Sequence, residues 1–269
     1  MIPKNCTSTN SVPGLVLDDR LSKKRLRIAE YWNGEEPKLA GVDLIRFFQR
    51  SHPMEGMLCR AFHNILLDLD RDPRELLARM KRDTRYEIRR AGDQDQLSCD
   101  WRNAKDRQAF QQFCDYYDDF ATWKAQPKLN RAWLALLAGE GALTLSRVYD
   151  STGETLVWHA YHCSNNRATL FYSASLFRKF DSSAIRNKIG RANRFLHWQD
   201  MQRFKSEGIS VYDLGGWYEG DSDLERLRIN KFKEEFGGKI VKNYICERAL
   251  TAKAKLFLRV RSLLLGNAI

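Results

Sequence analysis

Three apolar and aromatic runs follow one another near the middle of the chain, and they restrict the fold more than any other feature. The runs cover residues 142–149, 155–163 and 168–176, and turn-forming residues separate them at 150–153 (Asp-Ser-Thr-Gly) and 164–166 (Ser-Asn-Asn). Short apolar runs joined by such turns are typical of an antiparallel meander. We therefore predict three neighbouring strands at the centre of a sheet.

Further helices and strands are predicted on both sides of this meander. A strand at 97–101 and helices at 106–121 and 128–138 precede it. It is followed by a long helix that ends at Glu207-Gly208, a strand at 209–214, a helix at 224–236 and a strand at 240–246. An order that combines a meander with β-α-β crossings belongs to the mixed α/β class, an α+β arrangement with a central sheet.

These patterns divide the chain into four parts. They are a mobile arm at 1–20, a reduced N-terminal lobe at 21–96, a main domain at 97–250 and a basic amphipathic helix at 251–269. The lobe is expected to contain a short helix at 43–49, a strand at 63–69 and a basic helix. The basic helix begins at Asp72-Pro73, where a capping aspartate precedes a first-turn proline.

The chain is strongly basic, with 45 Lys and Arg residues against 34 Asp and Glu and a net charge of +11. This balance favours anionic partners such as RNA, nucleotides or phospholipid headgroups. The segment 253–265 mixes cationic and apolar residues at helical spacing. It either docks on the body of the protein or lies on an anionic membrane surface.

No stretch approaches the roughly 18 apolar residues of a spanning helix, and the first residues lack the apolar core of a secretory signal. We expect a cytoplasmic protein, or one that lies peripherally at the inner membrane face. The six cysteines are Cys6, Cys59, Cys99, Cys114, Cys163 and Cys246. They form no C-x-x-C pair, so we expect no metal site and reduced, mostly buried thiols.

Two short motifs lie towards the end of the main domain. Residues 212–217 read Y-D-L-G-G-W, and residues 230–238 read N-K-F-K-E-E-F-G-G. They resemble the Y-D-F-G-G and F-K-x-x-F-G-G motifs of the Fem-type (FemAB-like) aminoacyltransferase branch of the GNAT acyltransferase superfamily, with Leu214 replacing a phenylalanine. Residues 83–91 and 193–198 are similar to that branch's T-R-x-x-I-R-x-A and N-x-x-L-x-W helices.

The resemblance implies a GNAT-like acyl-CoA N-acyltransferase fold with a reduced N-terminal Fem-like lobe. In that fold two neighbouring strands splay apart to admit a thioester or ester donor. It also implies an acyltransferase that moves an aminoacyl group from aminoacyl-tRNA to an amine of a cell-envelope precursor by direct attack. Because the lobe is short, the amine of a sugar or nucleotide sugar is an equal alternative. No tightly bound cofactor is expected.

Three residues are candidates for the chemistry of acyl transfer. The resemblance places Lys233 near the transfer centre, where a cation would stabilise the tetrahedral oxyanion. Asp213 and His159 are candidate proton acceptors for the attacking amine. His159 and His162 are an odd number of residues apart in a predicted strand, so they should point to opposite faces.

The same resemblance indicates residues that contact the substrates. The candidates are Tyr212, Gly215, Gly216, Trp217 and Phe232, together with Arg85 and Arg89 of the basic helix. Structural alternatives stay open, because a core stripe accounts for Phe232, a tight turn for the glycine pair and a solvated helix face for the cations.

The donor is left open between two chemistries. Residues 187–192 partly match the R/Q-x-x-G-x-G/A loop with which acyl-CoA enzymes bind pyrophosphate at a helix N-terminus. The candidate donor-binding residues there are Arg186, Lys188, Gly190 and Arg191. The donor is therefore aminoacyl-tRNA, or else acyl-CoA or an acyl carrier protein. A third alternative is a non-catalytic module that binds RNA or a membrane surface.

Overall fold

The structure of the protein is a computed structural model that describes residues 12–17, 26–32, 41–164 and 166–264. Within this part, the chain forms two compact units. The larger unit comprises residues 65–239, and the smaller unit comprises the described residues up to 64 together with 240–264. These boundaries differ from the positions 96/97 and 250/251 at which the sequence patterns divide the chain.

The strands and helices alternate along the chain much as the sequence patterns indicate. In chain order the strands are β1 (Val12–Leu17), β2 (Leu26–Trp32), β3 (Leu44–Arg50), β4 (Leu58–Asp68), β5 (Ser98–Asn103), β6 (Leu143–Tyr149), β7 (Thr155–Ser164), β8 (Arg167–Ser175), β9 (Val211–Trp217) and β10 (Lys239–Ala249). The helices are α1 (Pro73–Arg79), α2 (Arg82–Asp93), α3 (Arg107–Trp123), α4 (Arg131–Gly139), α5 (Ser183–Ser206), α6 (Leu224–Glu234) and α7 (Ala252–Leu264).

The larger unit is built on a sheet in which β9, β8, β7, β6 and β5 lie side by side in that order, with β4 next to β9. Strands β5 to β8 pair antiparallel, which confirms the predicted meander. Strand β9 pairs parallel with β8, and α5 makes the crossover that a parallel pair requires. The predicted mixed fold with a central sheet is therefore confirmed.

The core of the larger unit forms where α5 crosses the sheet. Apolar residues of α5, among them Ile189, Leu196 and Phe204, are buried at helical spacing. Two clusters of buried side chains meet this helix, one around β4, β9 and the second half of α5, the other around β6, β7 and its first half. Helix α5 is thus the element that holds both halves of the sheet's face.

The basic helix predicted from residue 72 is interrupted and forms two helices. Helix α1 runs from Pro73 to Arg79; the Asp72 side chain caps its start as expected, and Met80 is the cap residue at its end. At the break, the Lys81 N–H donates to the carbonyl oxygen of Glu235 at 2.9 Å. The Arg85 guanidinium donates to the carbonyl oxygens of Ala78 and Met80, both at 3.0 Å. Tertiary contacts therefore replace the helical hydrogen bonds at this point.

In the smaller unit, β1 pairs antiparallel with β2, β2 pairs parallel with β3, and β3 pairs antiparallel with β10. The short helix predicted at 43–49 is wrong, because residues 44–50 form the strand β3. Alternate side chains of β3 are buried, and Arg46 forms ion pairs with Glu30 and Glu247 of the two neighbouring strands. Partners distant in sequence therefore decide the conformation.

The mobile arm predicted at 1–20 is also wrong in part. Residues 12–17 form β1, and their hydrogen bonds to β2 order this segment. The remaining residues of that prediction, 1–11 and 18–20, lie outside the described part of the chain.

The expectation that all thiols are reduced is wrong for one pair. Cys59 of β4 and Cys246 of β10 form a disulfide within the smaller unit, across 187 residues of sequence. Cys99, Cys114 and Cys163 are reduced thiols, and the last two are buried. Burial raises the pKa of Cys99 to about 12, so this thiol is a poor nucleophile. Cys6 lies outside the described residues. Among the helices that the structure describes, none is long and apolar enough to cross a membrane.

Candidate active site

Strands β8 and β9 are paired at one end and then separate. The parallel ladder joins Arg167 to Val211 and runs as far as the pair Thr169 and Asp213. Beyond it, β8 continues along β7 to Ser175, while β9 continues to Trp217. The ladder between β8 and β9 therefore ends at Thr169 and Asp213, and a gap between the two strands begins beyond this pair.

Gly215 lies where the two strands separate. Its φ is +77°, a left-handed conformation that favours glycine. A Cβ at this position would lie 3.0 Å from the Leu170 carbonyl oxygen of β8 and 3.8 Å from Nζ of Lys233. The glycine therefore allows the backbone of β9 to turn while it stays in contact with β8 and α6.

Asp213 is buried beneath this turn. Its Oδ1 accepts a hydrogen bond from the Gly215 N–H at 2.8 Å, and its Oδ2 accepts from Nε and a terminal nitrogen of Arg167 at 3.1 and 2.7 Å. Both carboxylate oxygens have donors, and the side chain is fully shielded from solvent. This geometry favours a positioning role over the proton-accepting role expected from the sequence.

Lys233 reaches the same turn from α6. Its Nζ donates to the carbonyl oxygen of Gly216 at 2.6 Å. Burial lowers the pKa of Lys233 from 10.5 to about 8, and the nearby Asp213 carboxylate partly offsets this effect. The structure thus brings together four residues that the motifs indicated, namely Asp213, Gly215, Gly216 and Lys233.

Two side chains tie the end of β9 to α6. Asn230 is buried, and its amide accepts from the Tyr218 N–H at 2.9 Å and donates to the Tyr218 carbonyl oxygen at 2.7 Å. The indole N–H of Trp217 donates to Glu234 at 2.9 Å. These bonds hold α6, and with it Lys233, against the strand end. Asn230 is the first residue of the second motif, but no signal in the sequence indicates that its side chain bonds to Tyr218, the residue after the first motif.

The Gly237-Gly238 pair follows α6 and packs closely against α1 and β4. Gly237 has φ of +76°, and a Cβ there would overlap the backbone of Arg79. A Cβ on Gly238 would overlap the side chain of Ile65. Both glycines therefore permit close packing, which gives the second half of this motif a structural reason.

His159 lies in the core and not in the gap between β8 and β9. Its ring is fully buried, with Nδ1 bonded to Asp200 at 2.9 Å and Nε2 to Asn193 at 2.8 Å. The role of exposed base expected for His159 is not supported by this position. His162 stacks on Phe171 at 5.2 Å on the other side of β7, as the odd spacing of the two histidines predicted.

A buried chain of hydrogen bonds runs from Asp200 towards α6. Tyr161 donates to Asp200 at 2.7 Å, the Tyr161 and Tyr212 hydroxyls are 2.6 Å apart, and the Tyr212 hydroxyl is 2.7 Å from Nδ1 of His197. Since Tyr161 donates to Asp200, Tyr212 must donate to Tyr161, and His197 must donate to Tyr212. Each proton in the chain is therefore assigned.

The two tyrosines and His197 of this chain are neutral at physiological pH. Burial raises the pKa of Tyr161 and Tyr212 well above 10, and burial lowers the pKa of His197 well below 6.5. The His197 ring packs against Phe232 and Phe236, with centroids 5.8 and 5.0 Å away. This row of hydrogen-bonded side chains therefore packs against the buried side of α6, and Tyr212 has a structural role in it.

Phe232 is half-buried and is covered by a cation. The Arg194 guanidinium lies 5.0 Å from the ring centroid, and it also pairs with Glu87 at 3.0 Å and with Glu235 at 2.8 Å. Phe232 therefore has core contacts on one side and an arginine on the other. Arg194 and Glu235 are structural members of the site that the sequence patterns did not place beside Phe232.

Helix α2 borders an open groove with a basic wall. The groove has a volume of about 610 Å³ and is lined by Leu77, Arg82, Asp83, Arg85, Tyr86 and Arg89. Arg82 and Arg89 are exposed, whereas Arg85 also holds the end of α1. The arginines predicted to contact substrate therefore share one surface, and Tyr86 adds an aromatic ring that is half-exposed.

The predicted donor-binding loop does not form. Helix α5 begins at Ser183, so Lys188, Gly190 and Arg191 lie in the interior of the helix, where backbone N–H groups bond to the preceding turn. Lys188 pairs with Asp150 at 2.9 Å, and Arg191 pairs with Asp95. Arg186 is exposed in the first turns of α5. The helix starts earlier than the loop pattern assumed because Ser182 caps it.

The sequence of the larger unit matches a known protein family. Residues 78–226, more than half of the chain, match the family described as Acetyltransferase (GNAT) domain. The chain belongs to the GNAT acetyltransferase family. As a GNAT protein it is an acyltransferase, and the gap between β8 and β9 corresponds to the splayed strands expected of this fold. No curated protein matches the sequence.

Among solved structures, those of Fem-type proteins are similar to this GNAT chain. FemX superimposes with a TM-score of 0.63 at 12% identity, over 91% of this chain and 85% of FemX. The C-terminal domain of a protein designated lysylphosphatidylglycerol synthetase from Agrobacterium fabrum gives 0.54 at 16% identity, over 86% and 75%. L-PGS from Bacillus licheniformis gives 0.50 at 12% identity, over 81% and 72%. The fold of the chain is thus that of Fem-like acyltransferases.

Proposed function

We propose that this GNAT protein transfers an aminoacyl group from aminoacyl-tRNA to an amine. The acceptor is an amino group of a sugar, a nucleotide sugar or a cell-envelope precursor. The observation that carries this proposal is the position of Lys233, whose Nζ lies against Gly215 and Gly216 at the opening between β8 and β9. A cation at a strand opening is suited to an ester carbonyl that becomes negatively charged.

The reaction is direct and needs no enzyme-bound intermediate. The acceptor amine attacks the carbonyl carbon of the aminoacyl ester, and a C–N bond forms as the ester C–O bond breaks. The proton lost by the amine ends on the released ribose hydroxyl. Protonated Lys233 stabilises the oxyanion of the tetrahedral intermediate, and it is held in place by Gly216, Asn230 and the turn at Asp213.

Three features support an RNA donor. The groove along α2 has exposed cations and an exposed aromatic ring, a combination that binds phosphates and stacks on bases. The net charge of +11 favours a polyanion. The loop expected to bind the pyrophosphate of CoA lies instead inside α5. The designation of the Agrobacterium fabrum protein as a lysylphosphatidylglycerol synthetase agrees with aminoacyl chemistry on this fold.

Acyl-CoA or an acyl carrier protein is the second candidate donor. The match to the family described as Acetyltransferase (GNAT) domain favours it. If it is the donor, acetyl-CoA or a longer acyl-CoA should raise the melting temperature of the protein, since a ligand that binds only the folded state stabilises it. A GNAT protein that uses aminoacyl-tRNA should show no such response.

The test is transfer of a labelled amino acid. The protein is incubated with a charged, radiolabelled tRNA pool and with amino sugars or their nucleotide conjugates, and the labelled amide is separated from tRNA. We expect transfer by the wild type and a decrease of about 100-fold in Lys233→Ala. Absence of both tRNA binding and transfer would exclude the aminoacyl-tRNA proposal.

Binding to tRNA is measured separately as a function of salt. Replacing Arg82 and Arg89 by Gln should weaken binding and reduce the slope of the logarithm of the affinity against the logarithm of salt concentration, by about 1 for each phosphate that the protein no longer neutralises. Arg107→Gln is the matched control, because Arg107 is an exposed arginine at the start of α3 and does not line the groove. The control should bind tRNA as the wild type does.

A further inference from the structure

Helix α7 presents two different apolar faces in the smaller unit. Ala254 and Leu258 are buried against β2 and β3, so one face is docked. Leu256, Val260 and Leu263 are 62%, 42% and 83% exposed. Residues four and seven positions apart share one side of a helix, so these three side chains form a continuous exposed stripe. Docking of α7 on the protein therefore leaves an apolar face outside.

The cations of α7 divide between the same two sides. Lys253 pairs with Asp43 at 3.4 Å, and Arg261 donates to Glu247 at 2.9 Å, so these two cations hold the helix to its own unit. Lys255 and Arg259 are exposed, four residues apart, in a row beside the apolar stripe. Neither forms an ion pair with the described residues.

We propose that the exposed face of α7 docks on an anionic phospholipid surface. The stripe of Leu256, Val260 and Leu263 would enter the boundary between headgroups and acyl chains, while Lys255 and Arg259 contact lipid phosphates. Residues 252–264 contain no carboxylate, which suits an anionic partner. This binding is independent of the acyl donor and of the acceptor.

A second copy of the chain fits the same face less well. In a two-fold contact between two stripes, each α7 would bring Lys255 and Arg259 towards the same cations of its partner. Helix α7 offers no acidic side chain to pair with them. An anionic bilayer supplies the negative charge that a second α7 lacks.

The test is co-sedimentation of the full chain with vesicles. We expect binding to vesicles that contain phosphatidylglycerol, weaker binding in high salt and none to pure phosphatidylcholine. Leu256→Glu with Leu263→Glu should weaken binding by about tenfold or more. Lys255→Gln with Arg259→Gln should weaken it by roughly fivefold for each cation removed.

The matched control is Leu224→Glu, since Leu224 is 67% exposed at the start of α6 in the larger unit. This control should bind vesicles as the wild type does, and all variants should keep the wild-type melting temperature. If the wild-type protein does not bind anionic vesicles at low salt, the proposal is overturned. Vesicle binding by Leu256→Glu/Leu263→Glu that equals wild-type binding also overturns the proposal. So does a wild-type protein that forms a dimer and binds no vesicles, if these two substitutions dissociate the dimer.

Discussion

Lys233 donates a hydrogen bond of 2.6 Å to the carbonyl oxygen of Gly216, and this contact joins the two sequence motifs of the chain in space. The first motif ends β9, and the second lies on α6, so the bond places an ammonium group where β9 leaves β8. Its usefulness for acyl transfer depends on its charge.

The charge of Lys233 predicts the alkaline side of the pH profile. The pKa of Lys233 is lowered to about 8, so the cation is lost as pH rises through 8. We expect the transfer rate at saturating substrate to fall above pH 8 in the wild type. Lys233→Arg should be slower but should show no such fall, because arginine stays charged over this range. An unchanged alkaline limb in Lys233→Arg would contradict an oxyanion role for the cation.

The same pKa shift predicts a pH dependence of stability. Between pH 8 and 10.5 the unfolded chain keeps the proton on Lys233, while the folded chain has lost it. Stability rises with pH wherever the unfolded state binds more protons. The free energy of unfolding should therefore increase across this window in the wild type relative to Lys233→Met, as measured by urea unfolding at each pH.

The turn at Gly215 should tolerate no side chain. Gly215→Ala adds a Cβ at 3.0 Å from the Leu170 carbonyl oxygen in a left-handed backbone. We therefore expect the free energy of unfolding to fall by about 2 kcal/mol. Gly153→Ala is the control, because Gly153 has φ of +84° but open space around its Cβ. Gly153→Ala should lower the free energy of unfolding by about 1 kcal/mol and leave the transfer rate unchanged. Equal costs at the two positions would show that crowding at Gly215 is unimportant.

The clamp made by Asn230 should matter more than the neighbouring bond of Trp217. Asn230→Ala leaves the N–H and carbonyl of Tyr218 without their side-chain partner, which should cost about 2 kcal/mol in urea unfolding. Trp217→Phe removes the exposed bond to Glu234 and a part of the indole's packing against the core, so it should cost about 1 kcal/mol. A harmless Asn230→Ala would show that β9 and α6 do not depend on this side chain.

The buried tyrosines should act as a unit. Tyr161→Phe and Tyr212→Phe each remove a hydroxyl from one hydrogen-bonded chain, and each should cost about 1–2 kcal/mol. Because both lose the same 2.6 Å bond, the double variant should be more stable than the sum predicts, by about 1 kcal/mol. Tyr116→Phe, whose hydroxyl donates to Leu156, should combine additively with Tyr161→Phe. Additivity of the first pair would contradict a continuous chain.

The larger unit is close to what local patterns predict. The meander of β6, β7 and β8 is readable because its apolar runs and turn residues are contiguous. Helix α5 carries its own apolar period, and Asp72 its own cap. The smaller unit is harder to predict, since β3 is a strand through its pairing with β2 and β10, and its Arg46 bonds to Glu30 and Glu247, which are 16 and 201 residues away.

The candidate site shows the same division. The sequence predicts the motifs around Asp213 and Lys233, because their residues resemble those of the Fem-type branch in a fixed order. It does not predict the partners of Asn230, His159 and Asp213, because hydrogen bonds between distant elements leave no local period. For the same reason the expected pyrophosphate loop proved to be the interior of α5.

By itself, then, the sequence determined the order of the main elements, the basic character of the chain and the two motifs that frame Lys233. Only the tertiary structure decided that Asp213 is ion-paired to Arg167, that His159 is buried and that β8 and β9 separate at Gly215. Local propensity and periodicity act over a few residues, whereas burial and charge pairing depend on which distant segments the fold brings into contact.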